Sequence, residues 1–167
     1  MNYSCPYDVN SLIEFTNIKC ESPDKEFSNF EYCRLKSVNR TYKYFSLKAN
    51  LYKTPVTDVR VNLALYKFEN GYKPFLYNIT YDACKFMKNK KSNPVALYFY
   101  NFFKERSNVN HTCPYNHDIV VEKISTEFVN HQMTNVLPFP EGKYMFKMDW
   151  MAYDIKRAVF KIYILLS

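Results

Sequence analysis

Two runs, Val59-Arg-Val-Asn-Leu-Ala-Leu-Tyr66 and Lys73-Pro-Phe-Leu-Tyr-Asn-Ile-Thr-Tyr-Asp82, flank the dipeptide Asn70-Gly71, and this stretch decides the fold. In the first run Val59, Val61, Leu63 and Leu65 alternate with Arg60, Asn62 and Tyr66. In the second, Phe75, Tyr77, Ile79 and Tyr81 form one phase, with Asn78 and Thr80 on the other. A period of two places alternate side chains on opposite faces of a pleated strand with one buried face. Asn-Gly tolerates the positive φ that a tight hairpin turn requires at both central residues. The stretch therefore predicts two antiparallel strands joined by that turn.

The same pattern recurs on both sides. Short strands are predicted at Glu14 to Lys19 and at Phe30 to Val38, the latter with Cys33 and Leu35 on one face and Arg34 and Lys36 on the other. Phe45, Leu47, Ala49 and Leu51 alternate with Ser46, Lys48 and Asn50, and Pro55 marks the break before the next strand. Strands resume at Asp118 to Lys123. After the proline-bounded loop Leu137 to Gly142, Tyr144, Phe146, Met148 and Trp150 alternate with Lys143, Lys147 and Asp149. The last strand carries Ala158, Phe160, Ile162 and Ile164 on one side and Arg157 and Lys161 on the other. One stretch departs from this period. Ser92-Asn93-Pro94 reads as a helix cap with proline in the first turn, and Val95, Phe99, Phe102 and Phe103 follow at helical spacing. Lys104 and Arg106 suit the end of a helix of about three turns. The chain is thus expected to be mainly β: an antiparallel β-sandwich with one amphipathic helix inserted near residues 93–105. At 167 residues it suffices for one domain, assigned to 13–167, with 1–12 as a variable N-terminal segment.

Composition narrows the function classes. Aromatic residues make up 19% of the chain, which favours strands and a large apolar interior. With only two glycines there is no phosphate-cradling loop, and no cofactor is expected. A net charge of +7 favours anionic partners such as phospholipid headgroups, acidic glycans or nucleic acid. The one tight basic cluster, Lys88, Lys90 and Lys91, reads as a solvated loop. No run is long and apolar enough to span a bilayer as a helix.

Four sequons, at Asn2, Asn39, Asn78 and Asn110, accompany five cysteines: Cys5, Cys20, Cys33, Cys84 and Cys113. Such sequons are used only on the secretory route. Asn39, Asn78 and Asn110 fall between or on the polar phase of elements, where glycosylation is expected. The odd cysteine count leaves one thiol unpaired or intermolecular. The pairing expected here is Cys20–Cys33 and Cys84–Cys113, with Cys5 left over, although connectivity does not follow from sequence. The reading is an extracellular, disulfide-bonded protein; the contrasting one is a cytosolic chain with reduced thiols. Met1 to Asn10 is polar and carries no signal-peptide core, which a mature form or a misplaced start would reconcile with secretion.

Candidate chemistry is sparse. His111, Cys113 and His117 are close in sequence, but the spacing matches no standard zinc site, and no metal is expected. Cys113 beside His111 suggests a thiol–base pair only by adjacency. The Tyr-Lys dipeptides beginning at Tyr42, Tyr52, Tyr66 and Tyr72 interleave rings and charge as single-strand nucleic-acid binders do, yet any half-buried strand does the same. No enzyme activity and no nucleic-acid partner are expected. What remains is a surplus of large apolar side chains. Phe99, Phe102 and Phe103 on the helix and Phe146, Met148 and Trp150 on a late strand either fill the core or line a cavity between two sheets.

Several segments carry a resemblance: Phe15 to Cys20, Phe30 to Arg40, Asn70 to Thr80, Asp82-Ala-Cys84-Lys-Phe86 and His111-Thr-Cys-Pro-Tyr115. From Ile13 to the C-terminus the chain resembles a large, uncharacterised fly family of small secreted proteins. That family is similar to the chemosensory B proteins and, more distantly, to the ML lipid-recognition and ganglioside-activator sandwiches. The resemblance implies an immunoglobulin-like, ML-like sandwich, with the four cysteines from Cys20 to Cys113 forming two bridges. It also implies a cavity for a hydrophobic or amphipathic small molecule such as a lipid or cuticular hydrocarbon. The expectation is a secreted, non-enzymatic binder of such a ligand, with a cell-surface receptor as a further partner. The alternative is an extracellular protein-interaction module with no internal ligand.

Overall fold

The structure is a computed structural model that describes residues 12–134 and 139–167. The sequon at Asn2, the thiol of Cys5 and the prolines' lead-in at Leu137 and Pro138 lie outside the described residues. Among the described residues eight strands form two antiparallel sheets. They are β1 (Ile13–Glu21), β2 (Ser28–Ser37), β3 (Lys43–Leu51), β4 (Val59–Phe68), β5 (Tyr72–Asp82), β6 (Ile119–Ser125), β7 (Gly142–Ala152) and β8 (Ile155–Leu166). One sheet runs β1-β8-β7-β4-β5 and the other β2-β3-β6. The antiparallel β-sandwich expected from the alternating patterns is therefore present.

The deciding hairpin forms as read. Asn70 and Gly71 both adopt positive φ, 56° and 107°, and β4 pairs with β5 from Phe68–Tyr72 to Arg60–Asp82. A register shift interrupts the ladder between Ala64 and Tyr66, and opposite it Leu76 bulges out at φ 63° and 64% exposure. Such a bulge, with Pro74 beside it, disrupts the outer edge of the sheet and discourages strand addition there.

The helix is shorter than the spacing predicts. Asn93 caps it by accepting from Ala96 N at 3.1 Å, and Pro94 occupies the first turn. The helix spans only Pro94–Tyr100, however, and a separate 3-10 turn covers Lys104–Arg106. Phe102 N and Phe103 N donate to Phe99 O and Tyr100 O, three residues back rather than four, and Phe103 leaves the helical region at φ −129°. Consecutive aromatic residues have poor helix propensity, so packing of the rings overrides continuation of the coil. Two further helices lacked a sequence signal strong enough to read: Ala83–Lys88, capped by Asp82, and Thr126–Thr134. Among the described residues the α-helices are, in chain order, α1 (Ala83–Lys88), α2 (Pro94–Tyr100) and α3 (Thr126–Thr134).

Arg157 also departs from its expected polar face. It is buried at 8% exposure, its guanidinium pairs with Asp24 and lies 4.0 Å from the centre of the Phe27 ring, and its Nε donates to Ala152 O. A buried cation needs such partners, because desolvation otherwise costs more than packing returns.

The two expected disulfides are present, and they act on opposite sides of the sandwich. Cys20 on β1 bonds Cys33 on β2, which ties an edge of one sheet to an edge of the other. Cys84 in α1 bonds Cys113 in the loop before β6. That bridge closes the long crossover from β5, the other edge of the larger sheet, to β6, the other edge of the smaller. The closed segments separate the cysteines by 13 and 29 positions. Loop-closure entropy then gives about 3 kcal/mol for the first and somewhat more, about 3.6 kcal/mol, for the second. We expect the Cys84→Ser/Cys113→Ser pair to lower unfolding free energy more than the Cys20→Ser/Cys33→Ser pair, measured by denaturant titration of each double variant.

An apolar cavity between the sheets

The interior faces of β4, β7 and β8 carry the alternating apolar residues read from the sequence. Against them stand Phe45, Leu47, Ala49 and Leu51 of β3 and Ile119, Val121 and Ile124 of β6. The two sheets do not close onto each other. Between them lies a cavity of about 250 Å³ with an almost wholly apolar wall. Apolar cavities well below this size stay dry and accept small hydrocarbons.

The crossover from β5 to β6 supplies the third wall. Phe99 of α2 stacks on Phe146 of β7 with ring centroids 5.0 Å apart and meets Tyr77 of β5 edge-on at 5.6 Å. Tyr98 packs edge-on against Phe99 and Phe102, at 5.1 and 5.2 Å. Behind them, Phe86 of α1, Tyr100 and Phe103 form a second edge-to-face chain, at 5.7 and 5.6 Å. Edge-to-face and offset contacts of this kind add to burial and fix ring orientation. The loop before β6 is held in place from two directions. Val56 and Tyr115 exchange backbone hydrogen bonds at 2.7 and 2.9 Å, and Cys113 is tied to Cys84.

All six residues singled out in the sequence stand on this wall: Phe99, Phe102, Phe103, Phe146, Met148 and Trp150. Phe99 is buried and the other five are half-buried. The three on β7 share the phase that faces the other sheet, so the space they meet is the cavity. Sequence reasoning did not select the facing row on β3, the row Ala158, Phe160, Ile162 and Ile164 on β8, or Val129 and Met133 of α3, which also line it. The period-two pattern held the signal for the strand rows. It shows which phase is inward but not which inward residues meet a void.

Three of the hydroxyl-bearing residues on the wall turn that group to backbone carbonyls. Ser28 Oγ donates to Arg157 O, Tyr115 Oη bonds Val109 O and His111 O, and Tyr144 Oη donates to Pro140 O. Tyr98 Oη differs: it is buried and no hydrogen-bond partner reaches it. Burial pushes the Tyr98 phenol up to about 12, with Tyr77 adding to the effect, and burial likewise pushes Tyr115 to about 12, with Tyr100 adding. Tyr81, also on the wall, is raised for the same leading reason.

The histidine–cysteine trio resolves differently from either chemistry weighed for it. Cys113 is committed to its disulfide, so it offers neither a thiolate nor a metal ligand. His111 and His117 come together instead, with Nε2 atoms 2.6 Å apart and each Nδ1 against a backbone carbonyl, of Thr112 and Asp118. Among the described residues no group of three or more His, Cys, Asp or Glu side chains is arranged to hold a metal ion. Asn39, Asn78 and Asn110 are all exposed. Asn39 Oδ1 accepts from Thr41 N and Tyr42 N, which fixes the turn between β2 and β3. Among the described residues no helix is long and apolar enough to cross a membrane.

The buried phenols set the alkaline limit of the fold. In an unfolded chain they ionise near the ordinary value of 10.0; in the folded chain burial pushes Tyr98 and Tyr115 up to about 12. A folded-state value above the unfolded one gives stability that is complete below pH 10 and is lost as pH rises toward 12. We expect the unfolding midpoint in denaturant to hold up to about pH 10 and then fall, with phenolate absorbance from these residues appearing only as the fold opens.

No curated protein matches the chain. Residues 59–146, which run from the start of β4 through the crossover and into β7, match the family described as "Protein of unknown function (DUF1091)". That span is more than half of the sequence and includes the hairpin, α1, α2, α3 and much of the cavity wall, and the chain belongs to this family.

Proposed function

We propose that this protein is a non-enzymatic carrier of a hydrophobic or amphipathic small molecule, held between the two sheets. The observation that carries the reading is the apolar cavity of about 250 Å³, walled on three sides by strands and by the aromatic crossover. That volume sits just below the range of about 300–1,000 Å³ typical of small-molecule pockets, so it suits one slender chain rather than a bulky multi-chain lipid. The resemblance to chemosensory B proteins and to ML and ganglioside-activator sandwiches supports the same reading, since those sandwiches take up lipids between their sheets. Two disulfides and exposed sequons are compatible with work outside the cell, where such ligands need a carrier in water.

A second reading has its own support. Phe68, Tyr72 and Leu76 are exposed at 46%, 36% and 64% along the β4–β5 hairpin. Exposed apolar residues grouped on one hairpin favour contact with a protein partner such as a cell-surface receptor.

The single tryptophan makes the first reading testable, because Trp150 is on the cavity wall. A fatty-acid methyl ester brominated along its chain should quench Trp150 emission saturably at one ligand per protein. Ala158→Leu, which adds bulk beside Trp150 on the wall, should weaken that uptake at least tenfold while leaving the thermal midpoint unchanged or higher. Quenching that rises linearly without saturation, together with a ligand-free mass for protein made in insect cells, would sink the carrier reading.

A further inference from the structure

We propose that the outward face of the five-stranded sheet docks on an anionic lipid bilayer, with a row of lysines meeting the headgroups and a ring cluster at the hairpin end entering the interface. This docking is independent of what the cavity holds, because it uses the opposite phase of the same strands. Lys19 of β1 pairs directly with Lys161 of β8, and Lys161 with Lys147 of β7. Phe146, Met148, Phe160 and Ile162 at the neighbouring positions line the cavity, so the lysines face outward. Like charges placed opposite each other across a sheet destabilise it. Stability alone would favour alternating signs here, and the row is accounted for by an anionic partner outside the chain.

The acids nearby do not cancel the row. Lys147 lies 3.7 Å from Asp149, which Lys156 shares at 3.2 Å, and Lys161 lies 3.8 Å from Glu21. Glu14, further along β1, is turned to Lys43 of β3 in the other sheet. Among the described residues Lys19 and Lys143 make no ion pair. Both are exposed, and their ammoniums lie over rings instead, 5.4 Å from the centre of Tyr163 and 5.6 Å from that of Phe68. Those rings belong to one cluster: Tyr72 meets Phe68 edge-on at 5.2 Å and Tyr163 at 5.6 Å, and Phe68 and Tyr72 are exposed. The face thus carries cations and large rings side by side. An acidic glycan would use the lysines and leave the rings in water. A bilayer uses both, since each lysine near an anionic surface adds binding and aromatic rings settle at headgroup level. Asn78 of β5 ends the same cross-strand row beyond Ala64 of β4, so its sequon stands at the rim of the face.

The test is co-sedimentation of protein made in insect cells, before and after enzymatic removal of N-glycans, with vesicles of phosphatidylcholine alone or with a third of it replaced by phosphatidylserine. We expect binding to the anionic vesicles only, falling steeply as salt rises from about 0.1 M to about 1 M. Lys19→Gln/Lys147→Gln/Lys161→Gln should weaken it at least about tenfold. Lys85→Gln/Lys88→Gln/Lys91→Gln, the same loss of charge at exposed positions of the crossover, should change it less than about twofold. Phe68→Ser/Tyr72→Ser, with every lysine in place, should also weaken binding, and it carries the test if thermal melting shows the lysine variant to be unfolded. No binding to anionic vesicles by either form of the protein would overturn the proposal. So would equal losses from the two lysine variants, which would reduce the effect to net charge. Retention on heparin without vesicle binding would assign the row to an acidic glycan and overturn it too. Unchanged binding by Phe68→Ser/Tyr72→Ser would overturn the entry of the rings and leave them to a protein partner.

Discussion

The structure depends on how the chain crosses from β5 to β6. At one side of the sandwich the sheets are drawn together directly, by Cys20–Cys33 between β1 and β2. At the other side, residues 83–118 pass from the larger sheet to the smaller carrying α1, α2 and a long loop, and the Cys84–Cys113 bridge closes that crossover on itself. The rings of this covalently closed insert pack on β5 and β7 and form one wall of the cavity. Protein interiors otherwise fill to high density, so a void persists only where something rigid holds its walls apart. Here that wall includes Phe86, Phe99, Tyr100 and Phe103, held by edge-to-face contacts among Phe86, Tyr100 and Phe103 and by the stack of Phe99 on Phe146.

The polar groups follow from the same arrangement. A cavity stays dry only if the backbone and side-chain donors near it find partners elsewhere. Tyr115 and Tyr144 do so through backbone carbonyls of nearby loops, and the buried Arg157 does so through Asp24, Ala152 O and the Phe27 ring. Arg157 also anchors the β1–β2 loop against β8, close to the end of the cavity where Phe27 approaches Trp150. The Tyr98 hydroxyl stands apart from this pairing: it is buried and without a hydrogen-bond partner.

The alternation from Val59 to Asp82 and around Asn70-Gly71 was enough to predict the central hairpin, because strand period and turn chemistry are both local. Likewise the rows Tyr144 to Trp150 and Ala158 to Ile164 identified their inward faces, since a period of two leaves no freedom once one face is buried. The helix near residues 93–105 was legible at its start, where Asn93 and Pro94 act within one turn, and misread at its end. Nothing local stops a run of Phe and Tyr; the stop comes from rings packing on β5, β7 and α1. The helix at Thr126–Thr134 mixes polar and apolar residues too evenly to announce itself.

The sequence by itself determined the strands, their buried phases, the hairpin turn and the supply of aromatic residues, because each follows from the geometry of a few neighbouring residues. Only the tertiary structure decided that the sheets stand apart, that Arg157 turns inward, that His111 meets His117, and that Tyr98 is left without a partner. Those outcomes depend on contacts that strand period and turn chemistry do not specify: between the facing sheets, between Arg157 and the β1–β2 loop, and within the loop that Val56 and the Cys84–Cys113 bridge hold in place.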